Sequence, residues 1–299
     1  MNNKTLWTVS FLAVACGRPQ QVGDGEATSS SGRVVLQNKG SDTLVNVAQA
    51  WAEAYKEIDE NVAIAVTGGG SGTGISSMIN GTVDIANSSR SMKERELQAA
   101  QDNGITPVEH IVGYDALAIY LHPDNPIKEL TIAQLASIYG EGGEVETWSQ
   151  LGVTVPGCGS DEIVRVSRQN NSGTYAYFKK AILGTGGEYK LGSRDMHGSK
   201  DVVDLVENTP CAIGYSGLAY ANDHVAMPCV KSSDDGACVS PSMETAADGS
   251  YSIARPLFMY TSGEPTGTVK EYLDWILSDV GQCIITEKGY APAKPVTCG

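Results

Sequence analysis

Residues 66–75, VTGGGSGTGI, put five glycines into ten positions between a strand-like NVAIAV and a helix-like ISSMIN. Inside a regular element each glycine costs roughly 0.5–1 kcal/mol relative to alanine. A chain that accepts this cost at one strand-to-helix junction needs bare backbone there. The stretch is not a P-loop, because Ile75 and Ser76 follow Gly74 where Lys and Ser/Thr would stand, and it does not spell G-x-G-x-x-G. Nucleotide binding is therefore not indicated.

The junction belongs to a regular alternation. RVVLQN reads as a strand, DTLVNVAQAWAEAYKEI as a helix, NVAIAV as a strand, SGTGISSMIN as a helix and TVDIANSS as a strand. Leu44, Val47, Ala48, Trp51 and Tyr55 recur at helical spacing, which predicts one buried face on the first helix. Strands alternating with helices predict an α/β fold on a mostly parallel sheet. GYDALAIYLHPDNPI then crosses as an apolar extended segment. A second α/β unit follows, with TIAQLASIYG, EIVRVS, SGTYAYFKKAIL, SKDVVDLVENT and CAIGYSG. YSIARPLFMYTS is again extended, and GTVKEYLDWILSDVGQCIITEKGYAPAK returns to helices. The expected organisation is one lobe of residues 33–113 and 255–299, with residues 114–254 inserted as a second lobe. The two connecting segments would form a hinge beside a cleft.

At the N-terminus, Lys4 precedes LWTVSFLAVA and Cys16, a pattern of export-signal length. AVAC resembles a lipobox, with Ala13 in place of the usual leucine, so residues 1–16 are expected to be a lipoprotein signal region ending at a lipidated Cys16. A plain secretory peptide is the other reading. Residues 17–32 are polar and rich in glycine and serine, as expected of a flexible tether. The protein is thus expected outside the cytoplasm, periplasmic or at the cell surface, touching the membrane only through its lipid.

Of seven cysteines, six remain when Cys16 is set aside, and an even number in an exported chain reads as disulfides. Short loops close at least entropic cost, which favours Cys229 with Cys238 and Cys283 with Cys298, leaving Cys158 with Cys211. No spacing suggests a zinc or redox motif. A net charge of −14 argues against nucleic acid and acidic membranes as partners.

In open α/β sheets, ligands sit beyond the carboxyl ends of strands, where helices begin. Three stretches occupy such places: KGSDTL at 39–44, GGGSGTG at 68–74 and RQNNSGTY at 168–175. Each sets a serine or threonine beside a turn residue at a helix start, where unpaired N–H groups and the dipole favour oxyanions. A serine or aspartate there could instead cap its own helix.

GSDTL, GGGSGTGI…GTVDIANSSR, SRQNNSGTY, AIGYSGLAY and GQCIITEKGYAPAK, in this order across residues 33–295, resemble the phosphate-binding proteins of the high-affinity phosphate ABC transporter, the PstS-like family. The resemblance implies a two-lobed periplasmic-binding-protein (type II) fold that closes on phosphate and hands it to the permease of an ABC importer. It places phosphate ligands on Ser41, Asp42 and Thr43, on Gly70, Ser71 and Gly72, and on Arg168, Ser172, Gly173 and Thr174. The family's proton-accepting aspartate falls on Ser89, followed by Arg90, so both are candidates. The carboxylate's role would pass to Asp42, unless Asp42 only caps its helix. Arg90 is either a ligand or half of an outward salt bridge.

The rival readings are a receptor for sulfate or molybdate and, from another class, a phosphoesterase. GYSGL around Ser216 lacks the final glycine of G-x-S-x-G. His110, His122, His197 and His224 form no metal-ligand pair. The expectation is a monomeric binding protein with no catalytic residue, cofactor or metal.

Overall fold

The computed structural model describes residues 33–299; the expected signal region, the expected tether and Cys16 lie outside the described residues. β1 (Val34–Gly40), β2 (Val62–Thr67) and β3 (Ile85–Ser88) alternate with α1 (Val45–Tyr55) and α2 (Ser71–Ile79), and α3 (Glu94–Asp102) follows. β4 (Val108–Leu121) then carries the chain into β5 (Glu129–Thr131), α4 (Ile132–Tyr139), β6 (Val164–Arg168) and α5 (Gly173–Phe178). After these come β7 (Arg194–Met196), α6 (Ser199–Glu207), β8 (Ala212–Gly217), β9 (Cys229–Lys231), β10 (Cys238–Val239) and α7 (Met243–Ala247). β11 (Ala254–Thr261) returns, and α8 (Gly267–Ile276), α9 (Asp279–Glu287) and β12 (Ala291–Pro292) end the fold.

The main sheet runs β2-β1-β3-β11-β4-β8-β6-β7, with β12 also against β4, and β5, β9 and β10 form a small second sheet. Its wings are parallel, β1 with β2 and β3, and β6 with β7 and β8. Its centre is antiparallel, where β11 pairs with β3 and β4, and β4 with β8. The expectation of a mostly parallel sheet therefore holds only for the wings. β4 and β11 travel side by side in opposite directions, and strands related in that way pair antiparallel. At the far end of their ladder the Leu117 N–H donates to the Ile253 carbonyl at 3.0 Å.

α1 buries the face its spacing predicts: Val47, Ala48, Trp51 and Tyr55 are all in the core. Trp51 also satisfies its indole by donating to the Gly281 carbonyl at 2.7 Å, which ties α1 to α9. Burying a large apolar side chain contributes roughly 1.5–3 kcal/mol, so this face holds the helix more firmly than propensity does. The helix expected from SGTYAYFKKAIL is shorter than its pattern. α5 ends at Phe178, and a π turn, Lys179–Leu183, carries the chain to Gly184 at φ 73°.

Apolar burial is divided among separate clusters. Leu121, Trp148, Phe178 and Tyr215 share one, and Leu36, Trp51, Met259 and Tyr272 share another. The three disulfides are Cys158–Cys211, Cys229–Cys238 and Cys283–Cys298, the pairs expected from loop length.

Candidate functional site

The three helix-start stretches meet. β1 ends at Gly40, where a Cβ would lie 2.1 Å from the Asn87 carbonyl oxygen, so the chain turns directly beneath β3 into Ser41, Asp42 and Thr43. β2 leads through Gly69 and Gly70, both at positive φ, into α2. β6 ends at Arg168, and the loop after it enters α5 at Gly173.

The glycines of the second stretch are met by other parts of the protein. A Cβ on Gly74 would fall 2.4 Å from the Lys39 oxygen, one on Gly70 2.7 Å from the Asn171 oxygen, and one on Gly68 2.5 Å from Asp42 Oδ1. Bare backbone lets the first and third loops close onto the second. Asn171 completes the contact: its carbonyl accepts from the Gly72 N–H at 3.0 Å, and its Nδ2 donates to the Gly69 carbonyl at 2.9 Å.

Five hydroxyls gather at this meeting point, all buried. Ser41 Oγ donates to Ser89 Oγ at 2.9 Å, and Ser71 Oγ accepts from the Ser89 N–H at 3.1 Å. The hydroxyls of Thr43 and Thr174 share a hydrogen bond of 3.0 Å across 131 residues of sequence. Gly173 lies so close that a Cβ on it would stand 2.2 Å from Ser71 Oγ and 2.5 Å from Ser89 Oγ. The N–H groups of Ser71 and Gly173, first residues of α2 and α5, have no hydrogen-bond partner among the described residues.

Arg168 is 1% exposed, with one Nη1 N–H left without a partner among the described residues. It donates to Asp42 Oδ2 at 3.1 Å, to Ser199 Oγ at 2.9 Å and to the His197 carbonyl at 2.7 Å. Burial pulls its pKa below the usual arginine value, and the Asp42 carboxylate opposes that shift. Asp42 does not cap its own helical turn. Its Oδ1 accepts from the Gly69 N–H at 2.9 Å, so the carboxylate links the first loop to the second and to Arg168. Ser172, by contrast, does cap: its Oγ accepts from the Thr174 and Tyr175 N–H groups at 3.1 and 3.4 Å.

The arrangement offers hydroxyl donors, helix-start amides and a guanidinium, with a carboxylate at one edge. Such a donor set suits a small oxyanion.

A family model described as a PBP superfamily domain matches residues 26–280. The phosphate-binding protein PstS of Pseudomonas aeruginosa is 35% identical over 269 residues, 86% of this chain and 82% of that protein. PstS of Bacillus subtilis is 33% identical over 288 residues, 94% and 90% of the two chains. A crystal structure of a Clostridium perfringens protein, described as a phosphate ABC transporter substrate-binding protein with bound phosphate, superposes with a TM-score of 0.77 at 31% identity. It covers 87% of this chain and 100% of the other. The chain belongs to the PstS phosphate-binding protein family.

Two features of this PstS-family site differ from the reading of the sequence. Arg90 makes no hydrogen bond to the hydroxyl cluster; its Nη1 and Nη2 donate to the two carboxylate oxygens of Glu96, each at 2.7 Å. The salt-bridge alternative for Arg90 is the one seen. Burial alone pushes Glu96 up, but the bonds from Arg90 and from the Lys93 N–H outweigh it and hold the carboxyl below its usual value. Second, the sequence reading missed Arg255. Its Nη2 donates to Thr174 Oγ1 at 3.0 Å and Thr43 Oγ1 at 3.3 Å, and its Nη1 to the Ser89 carbonyl at 3.2 Å. The available signal was a lone arginine inside the apolar run IARPLFMY. Tyr220 and Tyr290 also went unnoticed. Tyr220 donates to the Asp42 carbonyl at 2.6 Å and Tyr290 to that of Thr43, which pins the first loop from outside.

Proposed function

We propose that this chain is an extracytoplasmic binding protein that captures inorganic phosphate between the three loops and delivers it to an ABC-type importer. The observation that carries the reading is the approach of Thr43 and Thr174, hydroxyl to hydroxyl at 3.0 Å, beside Arg255 and the two helix starts. Phosphate takes Ser41, Thr43, Ser71, Ser89 and Thr174 as hydroxyl donors, the amides of Asp42, Ser71 and Gly173 as backbone donors, and Arg168 as the charged partner; the N–H groups of Gly70, Gly72 and Ser172, which the sequence also offered, are spent on the carbonyls of Gly40, Asn171 and Gln169. Asp42 is the acceptor of the proton that phosphate keeps near neutral pH. Each carboxylate oxygen has two lone-pair sites, and one of each is used, on Gly69 and Arg168. Sulfate, which carries no proton at that pH, offers Asp42 only lone pairs.

The residues 33–113 and 255–299 form one lobe and 114–254 the other in this reading, with β4 and β11 as the hinge. No disulfide joins the two sets, so closure is not obstructed. The chain acts as a monomer held to the membrane by lipid on Cys16, and Cys16→Ser would move it to the soluble fraction.

The test is calorimetry of residues 33–299 with phosphate, sulfate and molybdate, alongside small-angle scattering. Phosphate should bind tightest and reduce the radius of gyration. Equal affinity for sulfate would remove phosphate as the ligand, and identical scattering curves would remove the hinge.

A further inference from the structure

A cavity of about 570 Å³ lies beside the hydroxyl cluster and meets it through Arg255. It is bounded by residues 90–93 after β3, by residues 176–181 of α5 and the π turn, and by Ser252 and residues 255–258 at the start of β11. In a protein of net charge −14, its ionisable lining is Arg90, Lys93, Lys180, Tyr177 and Arg255, with no carboxylate among the lining residues. The rest of the wall is largely apolar, with Phe258 its largest member.

Two of these cations, Lys93 and Lys180, are not spent on the protein. Neither Lys93 nor Lys180 forms an ion pair among the described residues. Arg90 and Arg255, by contrast, are paired with Glu96 and Asp115. Lys93 is held below the usual lysine value by burial first and by Arg90 and Arg95 next, which marks a place where positive charge is in excess. An anion in the cavity would relieve this mutual repulsion.

We propose that this cavity is a second, separate anion site, which takes a phosphonate or phosphate monoester carrying a small apolar body. The charged head lies against Lys93 and Lys180, and the body against Tyr177 and Phe258. Pockets for small ligands have this composition, an apolar wall with a few convergent polar groups, and this volume falls within their usual range of about 300–1,000 Å³. The inference goes beyond phosphate capture, because it concerns different side chains and an organic ligand.

The test is a sequential titration of residues 33–299. Phosphate is added to saturation first, and its heat reports the primary site by itself. Phenylphosphonate is then titrated into the phosphate-loaded protein. The expected result is one further site, weakened about tenfold or more for each ammonium removed in Lys93→Gln and Lys180→Gln, with phosphate affinity unchanged. Lys93→Arg with Lys180→Arg should retain it. The proposal is overturned if phenylphosphonate produces neither heat nor a shift in unfolding temperature, if it displaces phosphate, or if the double glutamine variant binds it like the parent.

Discussion

Arg255 stands directly opposite Asp115 across the β4–β11 ladder, and its Nη2 donates to Asp115 Oδ2 at 2.7 Å with both side chains sealed from solvent. Burial pushes the Asp115 carboxyl up from its usual value, and Arg255 works against that shift. The same guanidinium reaches the hydroxyls of Thr43 and Thr174, so it fixes their oxygens as acceptors. Arg255→Met should therefore cost about 3–5 kcal/mol of stability, the consequence of leaving one buried charge alone. Adding Asp115→Asn should recover most of that loss. Denaturant unfolding of the two single variants and the double checks this; simple additivity would mean that the pair is not coupled.

Gly173 gives a prediction of unusual sign. It sits in a helix, where alanine is better by about 1 kcal/mol. Yet its Cβ would meet Ser71 and Ser89 at less than contact distance. Gly173→Ala should thus destabilise the protein, by about 1–3 kcal/mol for overpacking, and abolish phosphate binding. A more stable variant that still binds would show that the two helix starts do not need to close so tightly.

For Asp42, selectivity is the readout. A site that leaves a buried polar group unmatched by the wrong ligand discriminates by roughly 10⁴–10⁵. Asp42→Asn should narrow the ratio of phosphate to sulfate affinity by at least about tenfold, because the amide can donate to sulfate. Arg168→Ala should weaken both anions by several kcal/mol, at about 1.5–3 for each charge-assisted bond. Paired titrations at one pH decide the matter, and an unchanged ratio in Asp42→Asn would place the proton acceptor elsewhere.

The Arg90–Glu96 pair makes stability depend on pH. The folded Glu96 carboxyl lies below its usual value of 4.5, so its contribution is complete above that pH and is lost as the pH falls through the lower, folded value. Glu96→Gln should be less stable than the parent at pH 6, and the gap should shrink as both are taken into acid below pH 4.5. Unfolding at several pH values measures it; a constant gap would mean that the carboxylate contributes nothing through its charge.

How much of this could be read beforehand depended on how local the signal was. The buried face of α1 follows from periodicity within the helix itself, and the disulfide pairs follow from loop length. The three oxyanion-type stretches carry their glycines and hydroxyls in plain view. Asp42 could not be resolved, because its partners Gly69 and Arg168 lie 27 and 126 residues away and only the folded sheet brings them together. For Arg90 both alternatives stayed open although the deciding partner is local. Its partner Glu96 lies six residues on, in α3, and only the folded helix turns that carboxylate back onto the guanidinium. Arg255 and Asp115 each interrupt an apolar strand, a visible oddity whose meaning needs the register of β4 against β11.

The hydrogen bond from Leu117 to Ile253 brings the chain back to the place where it left. For rearranging the gene, that contact is a ready seam. Everything between the two residues is one uninterrupted cassette whose ends already touch, and sealing them with a short linker permits new termini at an exposed turn such as Gly184–Thr185–Gly186. A fluorescent reporter spliced at the seam itself would sit on both crossing strands, and any bending there would be delivered straight into its optical signal.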